Sequence, residues 1–259
     1  MSLDLFVDLK VEAPFPPLRP FASLAPGPVT VVAPHPDDET IGCGGAMALH
    51  VQRGDPVRVV HVTDGSGGDR DSFEHGRIGE VRRREGESAA RELGVHDLVS
   101  LELPDGKVRP DGATVGALER VLREKPPRFL YAPSPFECHP DHVATCLAAA
   151  AAAHRVGGSI RLLLYEVNQQ HLPSFLFDIT PVAAIKRRAL GCYRSQMRYV
   201  DIVTKAMGGS LARTVNIDLR EVEYAEAFIE LEAERVEALS RQVLSVRRWI
   251  STRSRPFPV

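Results

Sequence analysis

Short apolar runs alternate along this chain with longer stretches in which apolar residues recur every three or four positions. The runs cover 29–33, 57–62, 98–103, 128–132 and 160–165, and valine dominates the first two (VTVVA, VRVVHV). Runs of five or six residues with little polar alternation read as strands buried on both faces. The stretches 40–53, 73–93, 114–124 and 141–154 carry helical spacing. Gly94 and the pair Gly157-Gly158 stand where the second and fourth of these must stop, since glycine accepts the left-handed backbone of a helix C-terminus. Strands alternating with helices predict an α/β fold, a Rossmann-like doubly wound, mostly parallel sheet with helices on both faces. From about 175 the alternation lapses. Extra C-terminal helices are expected over 179–197 and 221–239, followed by a basic tail of Arg247, Arg248, Arg253 and Arg255. Prolines at 14, 16, 17, 20, 26 and 28 forbid a regular helix near the start. Residues 1–28 therefore read as an extended Pro-rich arm, and 29–259 as one domain.

Composition narrows the partners. Thirty-two basic residues against 34 acidic ones leave a formal net charge of −2, so no electrostatic reason exists to expect nucleic acid. The hydrophobic share of 44% suits a packed domain rather than a disordered chain. Cys43, Cys138, Cys146 and Cys192 form no CxxC pair, as in a reduced, cytoplasmic protein. The N-terminal residues lack the basic and apolar regions of a signal peptide, and the longest apolar stretch, 143–153, is about half of a bilayer span. A soluble protein without stable membrane association is the expectation.

Ligands of a doubly wound sheet sit beyond the carboxyl ends of its strands, where strand order reverses. Two polar clusters stand at such ends. After the first run comes His35-Pro36-Asp37-Asp38-Glu39, and after the fourth comes His139-Pro140-Asp141-His142. Acids at a helix start can simply offset its dipole. His35 and Asp38, three apart across a rigid proline, can instead aim an imidazole and a carboxylate at one point, and both are zinc ligand types. Asp37 is then left beside the metal without being spent on it. Two histidines, one aspartate and an open position describe a catalytic rather than a structural zinc site.

HPDDE followed about a hundred residues later by HPDH resembles the PIG-L/LmbE-like family of zinc-dependent N-deacetylases. The resemblance runs from about Val29 to Tyr165 and takes in Gly42-Cys43-Gly44-Gly45, Val62-Thr63-Asp64-Gly65, Arg82-Arg83-Arg84-Glu85 and Leu103-Pro104-Asp105-Gly106, with Lys186 and Tyr193-Arg194-Ser195-Gln196 later. It implies that His35, Asp38 and His142 bind Zn2+, with Fe2+, Co2+ or Mn2+ as other divalent choices. It implies Asp37 as general base, His139 as oxyanion stabiliser or proton donor to the leaving amine, and Asp141 as the group orienting an imidazole. Arg82 falls where relatives hold sugar hydroxyls, and Asp105 is a further substrate candidate. The implied activity removes the N-acetyl group of a GlcNAc-type sugar or conjugate, a small-molecule aminosugar. Where relatives often carry a Glu in the turn after the second strand, this chain has Gly65-Ser66-Gly67-Gly68, and where some carry Tyr-Gly before the second motif it has Glu137-Cys138. Both departures fall at the pocket mouth and bear on substrate identity.

The chemistry is consistent with those types. An amide is a poor electrophile; a metal polarises its carbonyl and lowers the pKa of water from about 15.7 toward about 7, while a carboxylate beside the metal moves the proton to the leaving nitrogen. Two other functions stay open at this stage: a metal-dependent amidase acting on another amide such as a thiol conjugate, and a non-catalytic sugar-binding module. An aspartyl-phosphate phosphatase would want its two aspartates separated by one residue, whereas Asp37 and Asp38 are adjacent. A homo-oligomer is open as well. Cys43 and Cys146 are expected to be buried and inert, and Cys138, beside His139, is a subsidiary metal-ligand candidate.

Overall fold

A computed structural model describes residues 16–69, 71, 74 and 76–253, the stretch from 247 as backbone only. Seven strands form one sheet in the order β3-β2-β1-β4-β5-β7-β6. β1 (Val29–Ala33), β2 (Val57–Thr63), β3 (Asp97–Leu103), β4 (Phe129–Pro133) and β5 (Arg161–Tyr165) are parallel, and β7 (Ala225–Leu231) runs antiparallel between β5 and β6 (Phe175–Asp178). β1 and β4 are direct neighbours with Val29 opposite Phe129, so strand order reverses between them. The two polar clusters therefore leave the sheet side by side.

The apolar runs are continuous because both faces are covered. On one face Val29, Val31, Val57, Val59, Tyr131 and Tyr165 pack with α1 (Asp38–Arg53), α2 (Ile78–Glu92) and α5 (Ala183–Leu190). On the other, Val32, Val60, Leu130, Leu162 and Leu164 pack with α3 (Gly112–Glu124), α4 (Pro140–Val156) and the start of α8 (Ala233–Arg253). The alanines of α4 let it lie close to the sheet, with Ala148, Ala149 and Ala152 wholly buried. Cys43 and Cys146 are buried as expected, and Gly94 takes a positive φ of 77° after α2. The start expected for that helix falls partly on residues 73 and 75, outside the described residues, and the helix begins at Ile78. Residues 16–28 run against the sheet edge, where Leu18 bridges Leu176 and Leu24 enters the core.

The C-terminal third departs from expectation. The helix expected over 221–239 is instead β7 followed by α8 from Ala233. Ala-Glu-Ala-Phe-Ile-Glu-Leu has good helix formers, but pairing with β5 on one side and β6 on the other, with Ala225 to Ile229 all buried, outweighs propensity. The helix expected over 179–197 is broken into a 3-10 turn at Thr180–Val182, α5, and the short α6 (Arg194–Met197), with Gly191 and Cys192 at the break. β6 and α7 (Ile202–Ala212) lie where no element was expected. Of the expected basic tail, Arg247, Arg248 and Arg253 fall within α8, their side chains outside the described residues together with Arg255.

Candidate active site

β1 ends at Ala33, and Pro34-His35-Pro36-Asp37 carries the chain over the sheet's carboxyl edge into α1. β4 ends at Pro133, and α4 starts at Pro140, where a missing N–H costs nothing. Both loops deliver their polar residues to one buried knot. Asp38 Oδ2 accepts the His35 backbone N–H at 2.9 Å and lies 3.0 Å from His35 Nδ1 and 3.3 Å from His142 Nε2. His35 Nε2 is buried without a well-aligned hydrogen bond, although carboxylate oxygens of Asp105 and Asp141 stand 3.0 and 3.4 Å away. The His139 ring meets His35 edge-on at 4.8 Å between centroids.

Each expected residue has a definite place. Asp141 is buried and accepts the N–H groups of Gly106 at 2.7 Å and Val108 at 3.3 Å, tying the β3–α3 loop to α4. His139 caps α4, its Nδ1 accepting the Asp141 N–H at 3.2 Å. A neutral His139 therefore carries its proton on Nε2. Asp105 accepts the Gly67 N–H at 2.9 Å, so the glycine-rich turn after β2 lies against the knot. Arg82, nearly all buried, does not project toward open space. Its Nη2 lies 2.9 Å from Asp37 Oδ2 and donates to Pro36 O at 2.6 Å, while Nη1 donates to Gly65 O at 3.1 Å. Cys138 is exposed, its Sγ 3.7 Å from Gln169 Oε1.

Four carboxylates, Asp37, Asp38, Asp105 and Asp141, share the knot with the imidazoles of His35, His139 and His142 and the guanidinium of Arg82, and burial and charge compete at several of them. Burial opposes charge on His35, yet Asp105, Asp141 and Asp38 push it up to about 12. Burial likewise opposes charge on His142, but Asp38 and Glu137 raise it to about 9. Asp38 is held well below the usual carboxylate range despite its burial by His142 and His35. Asp37 goes the other way, raised to about 7 by burial against the pull of Arg82 and with the help of Asp38 and Glu39. Burial and the charges of His35 and His142 lower His139.

The donor set suits a small divalent cation. Ligands at about 2.0–2.2 Å in tetrahedral array lie about 3.4 Å apart, close to the separations of Asp38 Oδ2 from both imidazoles. Two triads also bring one donor atom each within 4.8 Å of one another: His35, His139 and His142, and His35, Asp105 and Asp141.

The family profile described as "PIG-L: GlcNAc-PI de-N-acetylase" matches residues 30–153, which include both motifs. In three dimensions a conserved protein from Thermus thermophilus, TT1542, superposes with a TM-score of 0.69 at 30% identity, over 78% of this chain and 93% of that one. The chain belongs to the PIG-L family. A diacetylchitobiose deacetylase from Thermococcus kodakarensis is 27% identical over 209 residues, 73% of this chain and 74% of that protein. A 4-oxalmesaconate hydratase from Pseudomonas putida is also 27% identical, over 222 residues, 76% of this chain and 86% of that one.

Around this PIG-L site lie residues that motif reading alone passed over. Glu137 is wholly buried; Oε2 faces His142 Nδ1 at 3.2 Å, and its carboxylate accepts the N–H groups of Val167, Asn168 and Gln169. A carboxylate behind an imidazole fixes its tautomer and leaves the Nε2 lone pair facing the site. Glu39 accepts from Thr40 Oγ1 at 2.9 Å and from Tyr193 OH, and stands 3.3 Å from His61 Nε2. The one signal for Glu137 was its place beside the second motif, and Glu39 reads in sequence as a third acid of a helix start.

Proposed function

We propose that this PIG-L protein is a metal-dependent deacetylase that hydrolyses the N-acetyl group of a GlcNAc-type sugar or conjugate. The observation that carries the reading is Asp38 Oδ2 between His35 Nδ1 and His142 Nε2, with the carboxylate of Asp37 turned aside to Arg82. His35, Asp38 and His142 would hold the ion. His139 is a weaker donor than these three because its Nδ1 already serves as the cap of α4. A divalent metal bound there, zinc by its ligand types, would lower the pKa of water and polarise the amide carbonyl.

The chain's own groups would carry the proton traffic. Asp37 Oδ1 and Oδ2 take the proton of the attacking water and return it to the amide nitrogen, which must leave as an amine. His139 Nε2–H donates to the carbonyl oxygen as charge develops on it. Asp141, held by two backbone N–H groups, keeps the His35 ring in place. Arg82 orients Asp37, and with Asp105 it borders the turn 65–68, where sugar hydroxyls would be met.

The diacetylchitobiose deacetylase relative supports this chemistry on this scaffold. The hydratase relative, matched at the same identity over a longer stretch, makes addition of water to an unsaturated acid the second reading. The test is amine release from free GlcNAc, diacetylchitobiose and inositol- and malate-linked GlcNAc after zinc loading, with oxalmesaconate as the hydration arm. Wild type should release amine and Asp37→Asn should lose most turnover while still binding the metal. Full activity in Asp37→Asn would refute the base. Consumption of oxalmesaconate without amine release would refute deacetylation.

A further inference from the structure

Asp37 is one of two non-glycine residues among those described with a positive φ, at φ 132° and ψ −29°. An L-residue in so sparsely populated a region is strained and persists where its surroundings over-determine it. Two other helices of this chain show what an aspartate in the same position ordinarily does. Asp111 before α3 accepts the N–H groups of Ala113 and Thr114, and Asp201 before α7 accepts that of Thr204. Asp37, the N-cap of α1, accepts no such bond. Its carboxylate has been withheld from the helix and given to the site.

The restraint comes from two sides. Arg82 Nη2 grips the Asp37 carboxylate and the Pro36 carbonyl together. On the other side the Asp37 backbone N–H donates to Glu39 Oε2 at 3.2 Å. Glu39 cannot turn away, because Thr40 Oγ1 and the wholly buried Tyr193 OH both donate to Oε1. Tyr193 in turn follows the break after α5, 154 positions from Glu39 in the chain.

We infer that Glu39 and Tyr193 are positioning residues for Asp37, holding its backbone in the strained conformation that keeps its carboxylate off the helix N-terminus and on the catalytic knot. The inference rests on the reading of Asp37 as the base. Without Glu39 the backbone relaxes to the extended region, and the carboxylate turns to the Thr40 N–H as Asp111 and Asp201 do at their helices.

The test uses Glu39→Ala, Glu39→Gln and Tyr193→Phe in the full chain, with Asp37→Asn alongside. Crystal structures read the claim without any substrate. In Glu39→Ala, Asp37 should adopt a negative φ and part from Arg82; Asp37 unchanged at its positive φ would overturn the inference. In turnover, Glu39→Ala should lower kcat by about 100-fold with little change in KM, as for a misplaced catalytic group, while bound zinc stays at the wild-type level. Glu39→Gln, whose amide oxygen still accepts the Asp37 N–H, should recover most of the rate, and Tyr193→Phe should fall between the two. If Glu39→Ala does not fold, Tyr193→Phe decides: wild-type kcat with Asp37→Asn inactive would overturn the positioning role alone. A wild type silent toward every amide would sink the base assignment instead, and the Asp37 φ in the variants would still decide the backbone claim.

Discussion

Lys186→Met should destabilise the fold by several kcal/mol, for a reason specific to α1. That helix kinks at Cys43, where φ is −142° and ψ is 23°. In a straight helix Gly45 N–H would bond Ile41 O and Ala46 N–H would bond Gly42 O. Here Gly45 and Ala46 donate to the carboxylate of Glu226 on β7, at 2.7 and 2.8 Å. Ile41 O instead accepts from Lys186 Nζ at 2.8 Å, and Nζ also donates to Glu226 Oε1 at 2.7 Å. A wholly buried ion pair thus replaces the backbone bonds of a broken turn, and glycine at 45, whose Cβ would lie 2.6 Å from Ile179, makes room at the kink. Removing the lysine strands a buried carboxylate and a carbonyl, which together cost about 3–5 kcal/mol. At roughly 2–4 °C per kcal/mol for a chain near this length, the melting temperature should fall by about 10 °C. The double variant Lys186→Met/Glu226→Leu separates the patch from an ordinary ion pair. Apolar replacement of a plain buried pair is often neutral, but here Gly45 and Ala46 lose their acceptor, so a deficit of at least about 2 kcal/mol should remain in denaturant titration. A double variant as stable as wild type would refute the account of the kink.

Glu137→Gln should weaken zinc binding by about 10–100-fold in chelator competition, because His142 loses the carboxylate behind Nδ1; unchanged affinity would remove Glu137 from the site's support. Two buried histidines should oppose the acid stabilisation that the raised groups His35, His142 and Asp37 bring. Burial lowers both His50 and His171 to about 4 against the pull of nearby acceptors, so the unfolded chain binds the proton first as pH falls below about 6.5. The contribution of these two histidines is full above that pH and falls toward pH 4, by about 2 kcal/mol per histidine at pH 5. In urea midpoints measured from pH 7.5 to 5, His50→Gln should become more stable relative to wild type as the pH falls; a difference from wild type that stays constant over that range would exclude His50 as a contributor.

What could be read along the chain was whatever depends on near neighbours in sequence. Five of the seven strands, the first four helices and the two HPD clusters rest on local apolar runs, spacing and capping residues, and parallel strands buried on both faces advertise themselves as unbroken valine and leucine. The topological rule places both clusters at a common edge, and β1 beside β4 has them there. β7 misled because its alanines and glutamates favour a helix locally, and its strand state is set by pairing with β5 and β6 on either side. Only the folded chain decided how the charges are spent. Arg82 turns inward to Asp37, Glu137 stands behind His142, and Glu226 mends a helix 180 residues away. Nothing local marks these roles, since an arginine or glutamate on a helix or strand looks the same in sequence whether it meets solvent or a buried partner. Desolvation makes the difference: once inside, each charge must find its counter-charge or an N–H, and the sheet order determines which ones are within reach.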